Sequence, residues 1–340
     1  VLAYRMTAPG SAELVDVPPA EPGPGQVRLE VLAAGVCHSD LAVLHGGAAA
    51  RWTLPFTLGH EVCGRVAALG EGVGDLAVGE QVVVHAPFGC GHCPRCAMGR
   101  TNDCDERATL PAAGLGLGID GGMAEAMVVD RVRLVSAEGL DPVVAATLTD
   151  AGLTSYHAVH GSREALAGPD PLAVVIGVGG LGHLAIGLLR ALGTTVVAVD
   201  TREEALGLAR ECGADAAVLP ADASGTVPSR GADVVFDFAG AQSSLDLAVS
   251  LLRTAGELVV VGSGGGAVTV SKPGVLPSGA VVRVPFWGSR PELTAVVGAA
   301  RGGALTPRTT TFALTDADRA FAQLREGRLL GRAVLVPAGI

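Results

Sequence analysis

The sequence predicts an α/β protein: a doubly wound parallel sheet domain inserted into a mostly β domain. Three observations carry this expectation. From about residue 172 onward, short β-branched runs alternate with helical runs. The N-terminal third reads as short strands between turns rich in Gly and Pro. A strand-like segment, GRAVLVP, returns near the C-terminus after the alternation has ended. Alternating strands and helices specify a parallel sheet covered by helices, whereas strands separated only by turns specify a β domain.

In chain order, VRLEVLAAGV (27–36) has strand character and follows the turn-rich PPAEPGPG, and GRVAALG (64–70) and EQVVVHA (80–86) are further strands. A cysteine-rich lobe at 89–107 interrupts this domain. Then LAVVIG reads as a buried strand, LGHLAIGLLRALG as a helix, TVVAVD as a strand and EEALGLARECGA as a helix. ADVVFDFAG (strand), SSLDLAVSLLRTAG (helix) and GELVVVG (strand) follow. After Trp287 the reading is a helix, a polar turn and the last strand. The simplest organisation is a split first domain (1–151 and 288–340) with the α/β domain (152–287) inserted.

The 340 residues are 49% hydrophobic, enough for a large core shared by two domains. A formal charge of −10 speaks against nucleic-acid binding, which needs a basic surface. The most apolar stretch is broken by Gly177, Gly179, Gly180 and Gly182, so no membrane span is expected. VLAYRMTAPG lacks the basic stretch and apolar core of a signal peptide, which points to the cytoplasm. Seven cysteines, an odd number, then speak against a disulfide framework.

IGVGGLG supplies Gly177, Gly179 and Gly182 as G-x-G-x-x-G, with Gly180 and Leu181 inside the loop. The pattern alone is weak in a chain with 49 glycines. Its context is stronger, because it follows a strand and opens a helix whose unpaired N–H groups can receive a pyrophosphate. Asp200 closes the second strand, where a carboxylate binds an adenosine ribose and repels a 2′-phosphate, favouring NAD over NADP. Arg202 weakens that preference, since an arginine there can pair with the phosphate. Gly240 and Gly262 end later strands, where a dinucleotide crosses the carboxyl edge.

Cys90, Cys93, Cys96 and Cys104 are spaced C-x2-C-x2-C-x7-C within fifteen residues. Thiolates this close repel one another unless a cation organises them. Four sulfurs suit a closed tetrahedral zinc site, hence a structural one, with an iron–sulfur cluster as the alternative. His92 lies in the lobe, but four cysteines already complete the shell. Elsewhere stand AGVCHSD, with Cys37, and LGHEVCG, with His60 and Glu61. Taken singly, these read as a buried small side chain and a satisfied core histidine.

GHE, the four-cysteine lobe and the glycine motif together resemble the zinc-containing alcohol dehydrogenases of the medium-chain dehydrogenase/reductase family. The likeness extends over essentially the whole chain and is nearest to the bacterial NAD-linked secondary alcohol dehydrogenases. It implies a GroES-like catalytic domain, a Rossmann cofactor domain, two zinc ions per chain and NAD. It makes Cys37 and His60 ligands of a catalytic zinc, with the third in LTDAGLTSYHA. Many members have Cys there; this chain has Asp150, also a competent ligand. Glu61 is either a transient fourth ligand or a neighbour that tunes the site. Asp40 would hold the His60 ring.

The resemblance further assigns Ser39 to the proton relay, while Ala42 stands where relatives place the next histidine. His38, Thr154 and Arg332 match cofactor-contacting positions, Arg332 at the pyrophosphate. Trp52 and Trp287 would wall a pocket for a small uncharged alcohol or ketone, with core packing the equal alternative. Cys63 and Cys212 are expected to be core thiols. Relatives are dimers or tetramers, and the strand at 256–262 with VVRVP is a candidate interface. Primary alcohol, aldehyde-reducing and polyol dehydrogenases share every one of these motifs. A nicotinamide-binding protein with a dead active site is a reading from another class, and it would predict a lost metal ligand.

Overall fold

The computed structural model describes residues 1–45 and 52–338. The chain forms two compact units. One comprises Val1–Leu153, Gly288–Gly302 and Arg308–Ile340; the other comprises Thr154–Trp287 and Gly303–Pro307.

The first unit is built on a sheet of Leu134–Ser136, Gln81–Val84, Glu61–Leu69, Gln26–Val36, Arg332–Val336 and Thr309–Ala313, in that order. Ala126–Asp130 also pairs with Gln26–Val36. The central strand changes character along its length. QVRLE alternates and keeps one face towards solvent, while VLAAGV is apolar throughout and buried on both faces. The helix Pro142–Thr147 packs against it and against Glu61–Leu69. That helix starts where Asp141 accepts the N–H groups of Val143 and Val144, with Pro142 in its first turn. It runs on into a π-helical turn, Leu148–Gly152, all five residues of which are buried.

The second unit has a parallel sheet ordered Ala216–Val218, Thr195–Val199, Leu172–Ile176, Ala232–Asp237, Leu252–Val260 and Val281–Arg283. The order reverses between Leu172–Ile176 and Ala232–Asp237. Ligands of open α/β sheets bind at such a switch point, at the carboxyl ends of the strands. LAVVI and ADVVFD are buried at every position, as strands covered on both faces require.

Two expectations need correction. The helix expected through residue 256 ends at Leu251, and the strand begins at Leu252. Leu252 pairs with Ala232, then the register slips so that Glu257 faces Val234, with Ala255 at φ 57° inside the irregularity. The polar turn expected near the C-terminus contains a strand, Thr309–Ala313, and a helix, Ala317–Arg325. TTTFA pairs in parallel with Arg332–Val336. Ala317, Ala320, Phe321 and Leu324 form the buried stripe of an amphipathic helix.

Candidate metal centres and cofactor site

Three strand ends of the first unit meet at one place. Cys37 directly follows the central strand Gln26–Val36 and precedes the helix His38–His45. His60 directly precedes Glu61–Leu69, and Gly35 faces Glu61 across the antiparallel pair. Arg332 opens the next strand, where Ala333 faces Val36. Alternation and register therefore gather residues distant in sequence. Asp150 arrives from the π-helical turn; such turns often mark functional positions.

Cys37, His60 and Asp150 are buried and offer ligand atoms that all lie within 4.8 Å of one another. Asp150 Oδ2 is 3.4 Å from Cys37 Sγ and 3.4 Å from His60 Nε2. Burial opposes charge on the His60 ring, yet Asp40, Asp150 and Cys37 outweigh it and raise its proton affinity. The pocket favours a cation, and a thiolate, imidazole and carboxylate fit zinc with a fourth position left over. Asp40 binds His60 Nδ1 at 3.1 Å and accepts the Cys37 N–H at 2.8 Å, reaching back like the acid of a capping box. Ser39 Oγ stands 3.6 Å from Cys37 Sγ. His38 and Ala42 are exposed on the same short helix.

Glu61 faces away from the role of a free ligand. Its carboxylate accepts from Arg332 Nη2 at 2.6 Å, from Arg332 Nε at 3.0 and 3.1 Å, and from the Ala151 N–H at 2.9 Å. It needs the space over Gly35, where a Cβ would lie 1.8 Å from Glu61 Oε2. Burial pushes the Glu61 carboxyl up, against the pull of Arg332. Arg332 is itself buried, and Nη2 also donates to Asp150 Oδ2 at 2.9 Å. The sequence reading assigned Arg332 to a pyrophosphate and did not foresee these partners. Nothing in sequence spacing links positions 61, 150 and 332; strand register brings Glu61 and Arg332 to the central strand, and the π-helical turn brings Asp150.

The four cysteines of the lobe also bring their sulfurs within 4.8 Å of one another. N–H groups of the lobe aim at them: Cys90 at Cys104 Sγ (3.3 Å), Cys93 at Cys90 Sγ (3.3 Å) and Cys96 at Cys93 Sγ (3.4 Å). The N–H groups of Asp105 and Cys96 pull the Cys93 thiol down to about 7, while burial pushes Cys96 up to about 12. The arrangement suits thiolates around one metal ion and closes the shell. The His92 ring turns to Glu106 at 2.7 Å and to the Cys90 carbonyl at 3.0 Å.

In the second unit the glycine loop joins Leu172–Ile176 to the helix Gly182–Ala191 at the switch point. Gly182 packs so closely that a Cβ would lie 1.9 Å from the Gly177 carbonyl oxygen. Leu181 gives that helix no side-chain cap, as a phosphate-receiving N-terminus should have none. The Leu181 carbonyl accepts from Ser155, next to the buried Thr154. Asp200 holds the loop from the side, accepting the N–H groups of Val178 at 2.7 Å and Arg202 at 3.0 Å. Gly240 and Gly262 touch: a Cβ on Gly240 would meet the Gly262 carbonyl at 2.2 Å. Asp237, which the sequence reading passed over, fixes this corner by accepting the N–H groups of Ala239 and Gly240 and the Ser244 hydroxyl. Trp52 meets Phe56 edge-on in the first unit, and Trp287 meets Phe286 edge-on in the second. Cys63 is a fully buried thiol and Cys212 a partly buried one.

Comparison with known proteins matches two stretches of the chain to family domains. Residues 23–139 match the alcohol dehydrogenase GroES-like domain, and residues 180–301 match the zinc-binding dehydrogenase domain. The NAD-dependent alcohol dehydrogenase of Sulfurisphaera tokodaii is 33% identical over 347 residues, 96% of each chain. The crystal structure of an alcohol dehydrogenase from Aeropyrum pernix superposes with a TM-score of 0.90 at 32% identity, covering 99% of this chain and 100% of that one. Acetophenone reductase from Geotrichum candidum, solved in complex with NAD, gives 0.86 at 30% identity over 98% and 96%. The chain belongs to the zinc-containing alcohol dehydrogenases of the medium-chain dehydrogenase/reductase family.

Proposed function

We propose that this chain is a zinc-dependent alcohol dehydrogenase that transfers hydride reversibly between a secondary alcohol, or its ketone, and NAD(H). The observation that carries this is the buried meeting of Cys37, His60 and Asp150, three donors where tetrahedral zinc takes four, as a catalytic site requires. In this reading the first unit is the catalytic domain and the second the cofactor domain. Cys37, His60 and Asp150 hold the catalytic zinc, and Cys90, Cys93, Cys96 and Cys104 hold a structural one.

Bound there, the catalytic zinc acts as a Lewis acid towards the substrate oxygen, and NAD supplies the hydride acceptor. The protein's own part is positional. Asp40 fixes the ring of His60 and the backbone of Cys37 together. Ser39 takes the hydroxyl proton outward, and Ala42 offers it no side-chain successor. Glu61 tunes the site from behind, since Arg332 and Ala151 already occupy its oxygens. Gly177, Gly179, Gly180, Leu181 and Gly182 receive the pyrophosphate. Asp200 takes the ribose, and Thr154, Gly240 and Gly262 complete the cofactor's path.

The secondary-alcohol preference is supported by likeness to an acetophenone reductase, whose named substrate is a ketone. In the first unit Trp52, edge-on to Phe56, is the apolar wall proposed for such a substrate. The enzyme is further proposed to be a homo-oligomer, a tetramer or a dimer. Val281–Arg283 ends its sheet, and Val281, Val282 and Val284 expose 50%, 38% and 76% of their surface. Exposed edge strands favour pairing. Among the described residues no helix is long and apolar enough to cross a membrane, and all seven cysteines are free of disulfides, which suits a reducing cytoplasm.

The test is NADH oxidation measured across methyl ketones, aldehydes and sugars. Methyl ketones should be reduced fastest. Faster aldehyde reduction would move the reading to a primary alcohol enzyme, and faster sugar reduction to a polyol enzyme.

A further inference from the structure

We propose that Arg332 is a positioning residue for Asp150, needed because this chain presents an aspartate where a cysteine would serve without help. The proposal rests on the reading of Asp150 as a zinc ligand and goes beyond it by naming what orients that ligand.

The oxygen of Asp150 that faces Cys37 and His60 is the one Arg332 holds. Oδ2 lies 3.4 Å from Cys37 Sγ, 3.4 Å from His60 Nε2 and 2.9 Å from Arg332 Nη2. A cysteine offers one donor atom at a fixed distance from its Cβ. An aspartate offers two oxygens on a group that rotates broadly about its last torsion, so either can turn inward. A guanidinium hydrogen bond removes that freedom.

The guanidinium is itself buried and held by several hydrogen bonds. Glu61 grips Nε and Nη2 together, and the strand register sets Arg332 beside the end of the central strand. Glu61 in turn accepts the N–H of Ala151, the residue after Asp150. Asp150, Arg332, Glu61 and Ala151 thus close a ring of contacts around the π-helical turn. Arg332 is the one cation of the ring and faces two carboxylates, Glu61 and Asp150, so its guanidinium approaches the ligand without being an unpaired buried charge.

The consequence is a coupling. Arg332 should matter to the catalytic zinc when position 150 is aspartate, and matter little when it is cysteine. The experiment measures release of zinc from the full-length protein to a chromogenic chelator. Four chains are compared: the unaltered chain, Arg332→Gln, Asp150→Cys, and the double variant. In the aspartate background Arg332→Gln should speed release of one zinc about tenfold or more, the usual scale for losing an outer partner of a ligand. In the cysteine background the same change should alter the rate less than about threefold. Any effect of leaving Glu61 unpaired is present in both backgrounds and cancels in the comparison. Equal acceleration in the two backgrounds overturns the proposal, as does no acceleration in the aspartate chain.

Arg332→Lys is the second variant. It keeps a cation opposite Glu61 but lacks the planar fork, and thermal melts report whether each chain folds. The same coupling is expected with lysine, and its absence counts equally against the proposal. Asp150→Ala separates the two ideas. If it retains two zincs as tightly as the unaltered chain, the ligand reading fails, whatever Arg332 does.

Discussion

Asp40 Oδ1 lies 3.1 Å from Nδ1 of His60, and both side chains are completely buried. The other oxygen of Asp40 accepts the N–H of Cys37 at 2.8 Å. One carboxylate therefore ties the helix after the central strand to the loop before its neighbour, fixing two candidate ligands at once. A ring that donates from Nδ1 keeps the lone pair of Nε2 for a metal. Asp40→Ala should lower affinity for one of the two zincs about 10- to 100-fold, measured by chelator competition, with the other unaffected. Unchanged affinity would show that the ring is held by packing alone.

The four-cysteine lobe predicts a separate loss. Its N–H···S contacts and converging sulfurs describe a shell whose folding and metal binding are one event. Cys96→Ser should reduce bound zinc from about two to about one per chain, as one closed and one open site require. The unfolding temperature should fall with it. Two zincs retained at full affinity would remove the structural assignment.

Asp200 does two things. It accepts the Val178 N–H from within the glycine loop and stands at the end of the second strand, where a ribose is expected. Asp200→Ser should therefore raise the kcat/KM ratio of NADP over NAD by roughly tenfold, as one differential interaction of 1.4 kcal/mol would. It should also cost roughly 1.5–3 kcal/mol of stability, because Val178 loses a charged acceptor. An unchanged cofactor ratio with the stability loss intact would leave Asp200 as a brace for the loop and nothing more.

The ease of reading this sequence differed between its parts for physical reasons. LAVVI, the VVAV of TVVAV and the VVF of ADVVFD are short apolar, mostly β-branched runs, and the chain between them carries helical periodicity, so their parallel sheet was evident from local pattern. The cysteine lobe was evident because metal chemistry demands close spacing. Cys37, His60 and Asp150 could be linked only through family likeness, since Cys37 and His60 flank strands paired across the sheet and Asp150 comes from a helical turn far along the chain. The ion pairs of Arg332 were invisible for the same reason. Thr309–Ala313 was missed because a strand of exposed threonines, paired on one side, resembles a polar turn. The helix boundary at Leu251 was missed because Leu251 and Leu252 are both buried, one on the helix and one on the strand.

His85 carries a prediction about pH. It follows Gln81–Val84, is buried, and its Nε2 lies 2.9 Å from the carbonyl oxygen of Gly288, where the chain returns to the first unit. Burial draws its pKa down to about 4; the Gly288 carbonyl opposes this, and the charges of Arg133 and Arg290 add to the lowering. In the unfolded chain the imidazole titrates near its ordinary value of about 6.5. Between those two values the unfolded chain binds a proton that the folded chain refuses, so stability is present above the window and lost as pH falls through it. The expected loss is about 2 kcal/mol on going from neutrality to about pH 5. His85→Gln keeps an N–H for Gly288 but has nothing to titrate. Urea unfolding at the two pH values should show the unaltered chain losing more stability than the variant by roughly that amount. Equal losses would mean that His85 is protonated in the folded chain, and that the contact with Gly288 survives the charge.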